Sequence, residues 1–329
     1  MRALRTLAPF VVVGVILWIG FLGVVDWLDR DFLATDMAAA GCLAVAVVGL
    51  SVLVGAAQQF SLGHGTFLGL GAYTTAVVWT QWQVPPLVAV GLSVVVTALV
   101  AWPIGRILNR LSELYFAIAT LALTIIAVSV ILLLAEYTGG EDGLSTAFFQ
   151  LGGHVLVEPR ERFWLTWGTA LLCAILMTSY LRSRRGRALR AVGGDEHAAR
   201  ALGIDATQLR TQAFVISAAL AGLGGALLTF TTGFIHPGTF GITASIQLVV
   251  MVILGSALVL RSLLVTFLIA LLPAVFDPLQ EHLELIYGAV LVLVLLHLTR
   301  ARSSAPSARE RLSQWWRTTV RGQYRGVGA

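Results

Sequence analysis

The sequence predicts an all-α, polytopic membrane protein with about ten transmembrane helices. Hydrophobic residues occupy 57% of its 329 positions. Charged residues occupy only 12%, which is about half of the ~25% that is usual in a soluble domain. The mean hydropathy is +0.86. Because so little polar surface cannot cover a water-soluble fold of this size, most of the chain must lie in a membrane.

Ten apolar runs approach the ~20 residues that a membrane-spanning helix needs. The first follows Arg2 and Arg5, as a signal peptide would. Its apolar run exceeds the usual ~7–15 residues and no A-x-A-like cleavage site follows, so we predict a retained span. The last three runs are short and closely spaced. In order, the runs are about 8–25, 37–57, 62–80, 86–104, 115–135, 162–181, 212–235, 245–260, 263–276 and 284–299.

The distribution of arginine predicts the orientation in the membrane. All 22 basic residues are arginine. When ten spans are threaded from a cytoplasmic N-terminus, 19 of the 22 fall in inner segments and only Arg30, Arg160 and Arg162 fall outside. This follows the positive-inside rule, so both termini are predicted to be cytoplasmic. The net charge of +5 therefore indicates topology and not a nucleic-acid partner.

The residue types and motifs that the sequence lacks exclude several functions. Without lysine the chain has neither a GxxxxGK(S/T) phosphate loop nor a Schiff-base lysine. No HExxH or GxSxG motif occurs, and Cys42 and Cys173 fall in different spans, so we predict no catalytic residue, metal or cofactor. The spans almost lack ionisable groups, which argues against the alternative of a stand-alone secondary transporter or channel. His64 is the one deeper candidate, and we expect a structural role for it.

Small residues recur at helix-packing intervals in two spans. Gly65 and Gly69 form a GxxxG pair, and Ala218, Gly222 and Ala226 recur at every fourth position. Such stripes let helix backbones approach closely, so packing within the subunit is the first expectation. A pore lined by these helices would be weakly polar, which would suit a small zwitterionic or neutral substrate.

The inner segment 182–211 predicts a helix of about two turns. Glycines at 193–194 are expected to break the chain, and Asp195 is a good N-cap. Glu196 suits the helix dipole, and Gly203 is a natural stop. A helix this short is only marginally stable in isolation. It therefore either enters a cleft of another subunit or packs against its own subunit. The small and apolar residues between cap and stop are Ala198, Ala199, Ala201 and Leu202.

The same segment carries a family signature. Residues 195–204, DEHAARALGI, resemble the DExAAxxLGI signature in the cytoplasmic loop of ABC-importer permeases. They are most similar to the M-type permease of branched-chain amino acid importers. Further matches follow in the expected order at 59–73 (SLGHxxFxGxGAY), 115–121 (YFAIATL), 138–144 (TGGxxGL), 212–222 and 237–245 (P-x-x-F…S).

The chain departs from this family pattern in two places. Residues 193–194 are both glycine, where many members have a charged pair. After Ser245, the family's glycine-rich GGxGSxxGP string is reduced to Gly255 and Ser256. Urea, short amides and other small organic acids therefore stay open as alternative substrates.

The resemblance implies a multi-pass protein of the prokaryotic cytoplasmic membrane, without catalytic activity of its own. The apolar runs and charges predict an N-terminal helix with an acidic outer loop at 1–36 and a basic cytoplasmic tail at 300–329, and the resemblance implies a permease domain at 37–299. The domain would move branched-chain amino acids by alternating access. Its partners would be membrane lipid, a second permease, two ATPase subunits that use ATP, and an extracytoplasmic solute-binding protein.

The resemblance also implies two groups of functional residues. The short helix would be the coupling helix that docks in a groove of the ATPase. Its residues are Asp195, Glu196, Ala198, Ala199, Leu202 and Gly203. Candidates for helix packing or the pore are Ser61, Gly63, His64, Gly65, Gly69, Gly71, Thr120 and Gly222.

Overall fold

The computed structural model describes residues 31–151 and 154–275. Helices account for most of them. The predicted spans at 8–25 and 284–299, the tail at 300–329 and both termini lie outside the described residues. The predicted orientation and the total of ten spans therefore stay predictions.

Eleven α-helices lie in the described part of the chain, and eight of them coincide with predicted spans. Those eight are α1, α2, α3, α4, α6, α9, α10 and α11. The helices are α1 (Asp31–Ala57), α2 (His64–Trp82), α3 (Pro86–Leu108), α4 (Glu113–Leu133), α5 (Ala135–Thr138), α6 (Pro159–Arg182), α7 (Arg184–Gly194), α8 (Glu196–Ala201), α9 (Ala206–Thr232), α10 (Ile242–Leu254) and α11 (Val259–Val275).

Six described segments are long and apolar enough to cross a membrane: α1, α3, α4, α6, α9, and α10 together with the 3-10 turn before it. The helix α2 is not among them, and it carries histidine, threonines and glutamine within its 19 residues. In α11 the apolar stretch Val259–Leu271 is shorter than a span.

The first described helix lies at the centre of the bundle. In α1, 89% of the most apolar stretch is buried within the protein, whereas in α4 the fraction is 17%. A helix that is apolar on every side is stable only when other elements surround it, and α1 packs against α6, α9 and α11. The outer faces of α3, α4 and α6 are apolar and exposed, as expected of helices that face lipid or another membrane subunit.

Helices α2 and α9 approach each other closely because glycines on each helix face the backbone of the other. A Cβ at Gly71 would overlap the backbone of Gly222, and a Cβ at Gly225 would overlap the carbonyl of Leu68. Small residues at such positions let two helices pack at short distance within a membrane. The stripe that includes Gly222 is therefore a packing surface of α9 in this structure.

Among the described residues, four two-residue strands accompany the helices of the predicted all-α class. Strand β1 (Leu144–Ser145) pairs antiparallel with β4 (Phe234–Ile235), which follows α9. Strands β2 (Gln150–Leu151) and β3 (His154–Val155) form a second antiparallel pair. The pairing of β1 with β4 joins segments distant in sequence, so local patterns do not reveal it.

The connection between α10 and α11 differs from the predicted span at 245–260. Helix α10 ends at Leu254, and Ser256 and Ala257 follow with φ of 55° and 52°. This left-handed backbone is uncommon for residues other than glycine. It lies where the chain departs from the family's glycine-rich string, and it turns the backbone so that α11 begins at Val259.

Candidate functional site

The short helix α8 forms where the sequence predicts it. The Asp195 backbone is extended, and its Oδ1 accepts a hydrogen bond from the Ala198 amide at 3.0 Å. The helix ends after Ala201, and Gly203 follows with φ of 78°. The predicted N-cap and stop are therefore confirmed. A side-chain cap and a left-handed glycine are the local features that limit α8 to six residues.

The glycines at 193–194 do not break the chain, contrary to the sequence prediction. Helix α7 runs through both of them, and the direction changes at Asp195. Gly193 lies against the carbonyl of Ala56 at the end of α1, and a Cβ there would overlap that oxygen. The glycine thus serves a close contact between α7 and α1, which sequence spacing alone does not reveal.

The two faces of α8 have different surroundings. Ala199 is buried with Val192 and Ala206, so it holds α8 against its own subunit. Ala198, Ala201 and Leu202 are exposed, and Leu202 is 80% exposed. Packing on its own subunit therefore holds for the Ala199 face, whereas entry into a cleft of another subunit stays a prediction. Ala199 points inward and does not belong to the exposed face.

Glu196 joins α8 to α9. Its Oε1 accepts a hydrogen bond from Arg200 at 2.5 Å, and its Oε2 accepts one from Nη1 of Arg210 at 2.5 Å. Arg210 lies in the second turn of α9. The sequence placed Glu196 at the helix dipole but gave no signal for Arg210, because the two residues are 14 positions apart. The ion pair therefore adds a tertiary tether to the local cap.

A buried hydrogen-bond chain continues from α9 to the segment before α2. The Nδ2 of Asn109, at the end of α3, donates to Thr211 Oγ1 at 3.1 Å. The Nε2 of Gln59 donates to Asn109 Oδ1 at 2.6 Å. All three side chains are buried, so each bond is shielded from water. Thr211 directly follows Arg210 in α9. The Glu196–Arg210 ion pair and this series of hydrogen bonds therefore involve the same turn of α9.

His64 connects α2 to the middle of α9. Its Nδ1 lies 2.9 Å from Ser61 Oγ, and its Nε2 lies 2.7 Å from Ser217 Oγ. The ring is fully buried and makes edge contacts with Phe67 and Phe214. Both ring nitrogens have a partner, so the histidine forms a satisfied cross-link between two helices.

Hydroxyl groups from α4 and α10 satisfy the backbone around the start of α2. Thr120 Oγ1 accepts from the amide of Leu62 at 3.0 Å, and Thr124 Oγ1 donates to the Leu62 carbonyl at 3.2 Å. Ser245 Oγ accepts from the amide of Gly65 at 2.9 Å. Non-helical backbone at membrane depth needs such partners because lipid provides none. Thr124 and Ser245 were not among the predicted site residues.

The predicted packing or pore residues lie at contacts of α2 and the turn before it. Gly63 lies against Thr120 of α4. Gly65 and Gly69 lie against the 3-10 turn Pro237–Phe240, and Gly71 lies against Gly222. The structure brings these residues to the contacts of α2 with α4, α9 and the turn before α10. No three His, Cys, Asp or Glu side chains in the described chain could hold a metal ion.

Comparisons with known proteins agree with this arrangement. The sequence profile of the family described as "Branched-chain amino acid transport system / permease component" matches residues 33–295. The chain is 31% identical over 293 residues to the high-affinity branched-chain amino acid transport system permease protein LivM of Salmonella typhimurium, covering 80% of this chain and 68% of that protein. The LivM protein of Escherichia coli K12 is 29% identical with the same coverage.

A second kind of permease is also similar. The LivH permease protein of Salmonella typhimurium is 26% identical over 282 residues, which cover 77% of this chain and 88% of that protein. No solved structure matches the chain. Since the family profile covers most of the sequence and the described helices are those of a multi-pass membrane protein, the chain belongs to the family of permease components of branched-chain amino acid transport systems.

Proposed function

We propose that this chain is the permease subunit of an ATP-driven importer of branched-chain amino acids. It pairs with a second, related permease and works with two ATPase subunits and an extracytoplasmic solute-binding protein. The observation that carries the proposal is α8, a preformed helix with one face fixed to its own subunit and apolar residues that the described part of the chain leaves exposed. Similarity to both LivM and LivH supports the pairing of two related permeases.

The outer face of α8 is the docking surface for the ATPase. An isolated helix of six residues is unstable in water, so its shape must be set before a partner binds. The Asp195 cap, the Glu196 ion pairs and the buried Ala199 set it. Ala198 and Ala201 permit close approach, and Leu202 provides the apolar side chain that a groove can enclose.

The movement of the ATPases reaches the membrane through α9. The Glu196–Arg210 ion pair makes α8 follow the start of α9, and the Thr211–Asn109–Gln59 chain joins that turn to α3 and the foot of α2. Displacement of α8 therefore moves several helices together. This connection suits alternating access, in which groups of helices rock around a central path.

The α2–α9 contact moves as one unit within this mechanism. His64 bonds to Ser217, and Gly71 packs on Gly222, so the two helices cannot slide past each other without losing both contacts. The hydroxyl groups near the start of α2 are already hydrogen-bonded, which leaves a weakly polar interior. A zwitterionic amino acid can pass such a surface without being held strongly.

The names of the relatives support branched-chain amino acids as the substrate. Urea, short amides and small organic acids are the alternative cargo, because the chain lacks the glycine-rich string after Ser245. A stand-alone secondary transporter or channel is the alternative of another class. Specificity lies mainly with the binding protein that delivers the substrate.

Reconstitution tests the function directly. Proteoliposomes containing this chain, the second permease, both ATPases and the binding protein should take up radiolabelled leucine only when ATP is supplied on the side of the membrane where the ATPases are bound. Competition with valine, isoleucine and urea then identifies the cargo. The L202D variant should abolish uptake and co-purification with the ATPases, while L202M, which keeps an apolar side chain, should retain both. Leucine uptake by this chain alone, without ATP, would overturn the proposal.

A further inference from the structure

A polar cleft lies between the end of α3 and the start of α9. Its volume is about 520 Å³, and Trp102, Arg106 and Arg110 line one wall. The opposite wall comes from the first turns of α9 and includes Asp205 and Gln208. The cleft lies at the same end of the bundle as α8, and its wall also includes Thr211, the residue bonded to Asn109.

The two arginines have charge to offer to a ligand. Arg106 lies in the last turn of α3, Arg110 follows two residues after its end, and both line the cleft. Neither forms an ion pair with a carboxylate among residues 31–151 and 154–275. Asp205 is the one acidic residue among the described residues of the lining, and its Oδ1, as the N-cap of α9, accepts a hydrogen bond from the Gln208 amide at 2.9 Å. The lining therefore carries a net positive charge.

Trp102 places the cleft at the edge of the apolar surface. It is 54% exposed, and the guanidinium of Arg106 lies 5.6 Å from its ring centroid. Leu99 and Val95, one and two turns earlier in α3, are also exposed. Tryptophan favours the boundary between hydrocarbon and water, so an apolar face and a cationic cleft meet at this residue.

We propose that this cleft binds the headgroup of an anionic phospholipid. The phosphodiester lies between Arg106 and Arg110, whose guanidinium groups match phosphate oxygens in geometry and charge. The acyl chains follow the exposed face of α3 past Leu99 and Val95. A soluble phosphate compound would use the arginines but not this apolar face, which is why a lipid fits better. Basic pockets between membrane helices on the cytoplasmic side favour such headgroups.

Thermal unfolding of the purified full-length chain tests the proposal without reference to transport. Short-chain phosphatidylglycerol should raise the unfolding midpoint in a saturable manner, and phosphatidylcholine of equal chain length should not. The R106Q/R110Q variant should bind phosphatidylglycerol about 30-fold more weakly, as expected for the loss of two arginine contacts with an anionic lipid. The R184Q/R185Q variant, which removes the same charge from exposed positions in α7, should bind normally.

A labelling experiment on the native chain gives a second test that does not depend on the folding of a variant. Phenylglyoxal should modify Arg106 and Arg110 in the native chain, and phosphatidylglycerol should protect both. Equal lipid binding by R106Q/R110Q, or no protection by the lipid, would overturn the proposal. Equal protection by glycerol phosphate would assign the cleft to a soluble phosphate compound. Protection by the other transporter subunits but not by phosphatidylglycerol would make the cleft a protein interface.

Discussion

Glu196 of α8 and Arg210 of α9 form an ion pair of 2.5 Å that joins the short helix to a long apolar helix. The side chains are 27% and 19% exposed, so the pair is only partly hydrated. The second carboxylate oxygen of Glu196 pairs with Arg200 within α8. One carboxylate therefore both stabilises the short helix and fixes its position on α9.

Removing either partner of this ion pair should weaken the association with the ATPases. We expect E196A and R210A each to reduce co-purification and ATP-driven leucine uptake. Because both variants lose the same contact, the double variant should lose less than the sum, by about 1 kcal/mol of coupling energy for a partly exposed pair. A double-mutant cycle on the dissociation constant measures this difference.

The R200A variant provides the control for that cycle. Arg200 is more exposed than Arg210 and pairs with Glu196 within α8, so its loss should have a smaller effect on docking. Strictly additive effects of E196A and R210A would contradict the tether.

Gly203 and Gly194 offer a matched pair for the role of the helix stop. Both have open space around the position of a Cβ, but only Gly203 has a positive φ, of 78°. G203A should destabilise the turn after α8 by about 1–2 kcal/mol, since a side chain disfavours left-handed backbone. G194A lies at the end of α7 and should be neutral. Hydrogen exchange of the Gly203 region checks the result, and equal exchange in both variants would contradict it.

His64 should act through structure and not through proton transfer. H64A leaves Ser61 and Ser217 without their partner, which should cost about 1–3 kcal/mol and lower the unfolding temperature. H64Q keeps hydrogen-bonding capacity at this position and should retain most of the stability and leucine uptake. A folded H64Q protein with a native unfolding temperature but no uptake would show that the imidazole itself takes part in transport.

The contact between Gly71 and Gly222 should not tolerate a methyl group. G71A forces α2 and α9 apart and should cost about 1–3 kcal/mol, as overpacking does in other cores. G91A, in α3, meets open space and should be neutral or slightly stabilising. Thermal unfolding of the two variants in the same detergent measures the difference. A destabilisation of equal size would mean that glycine is needed in these helices for another reason.

Local patterns predicted much of this structure. Apolar runs located eight described helices, and Asp195 and Gly203 marked the limits of α8, because spans, caps and stops depend on neighbouring residues. Tertiary contacts escaped prediction. Gly193 serves a contact with α1, and Glu196 finds a partner 14 residues away. The inward orientation of Ala199 likewise depends on where α7 and α9 pack.

Substitutions on the two faces of α8 should have different consequences. Substitution of Ala199 disturbs the packing of this chain in every assembly it enters. Ala198, Ala201 and Leu202 are exposed, so under the proposed docking to the ATPase their substitution changes mainly the surface that the ATPase meets. Exchange of ATPases between related importers should therefore be governed by a handful of side chains. Grafting the residues at those three positions from one permease onto another should transfer the preference for an ATPase without altering the membrane domain.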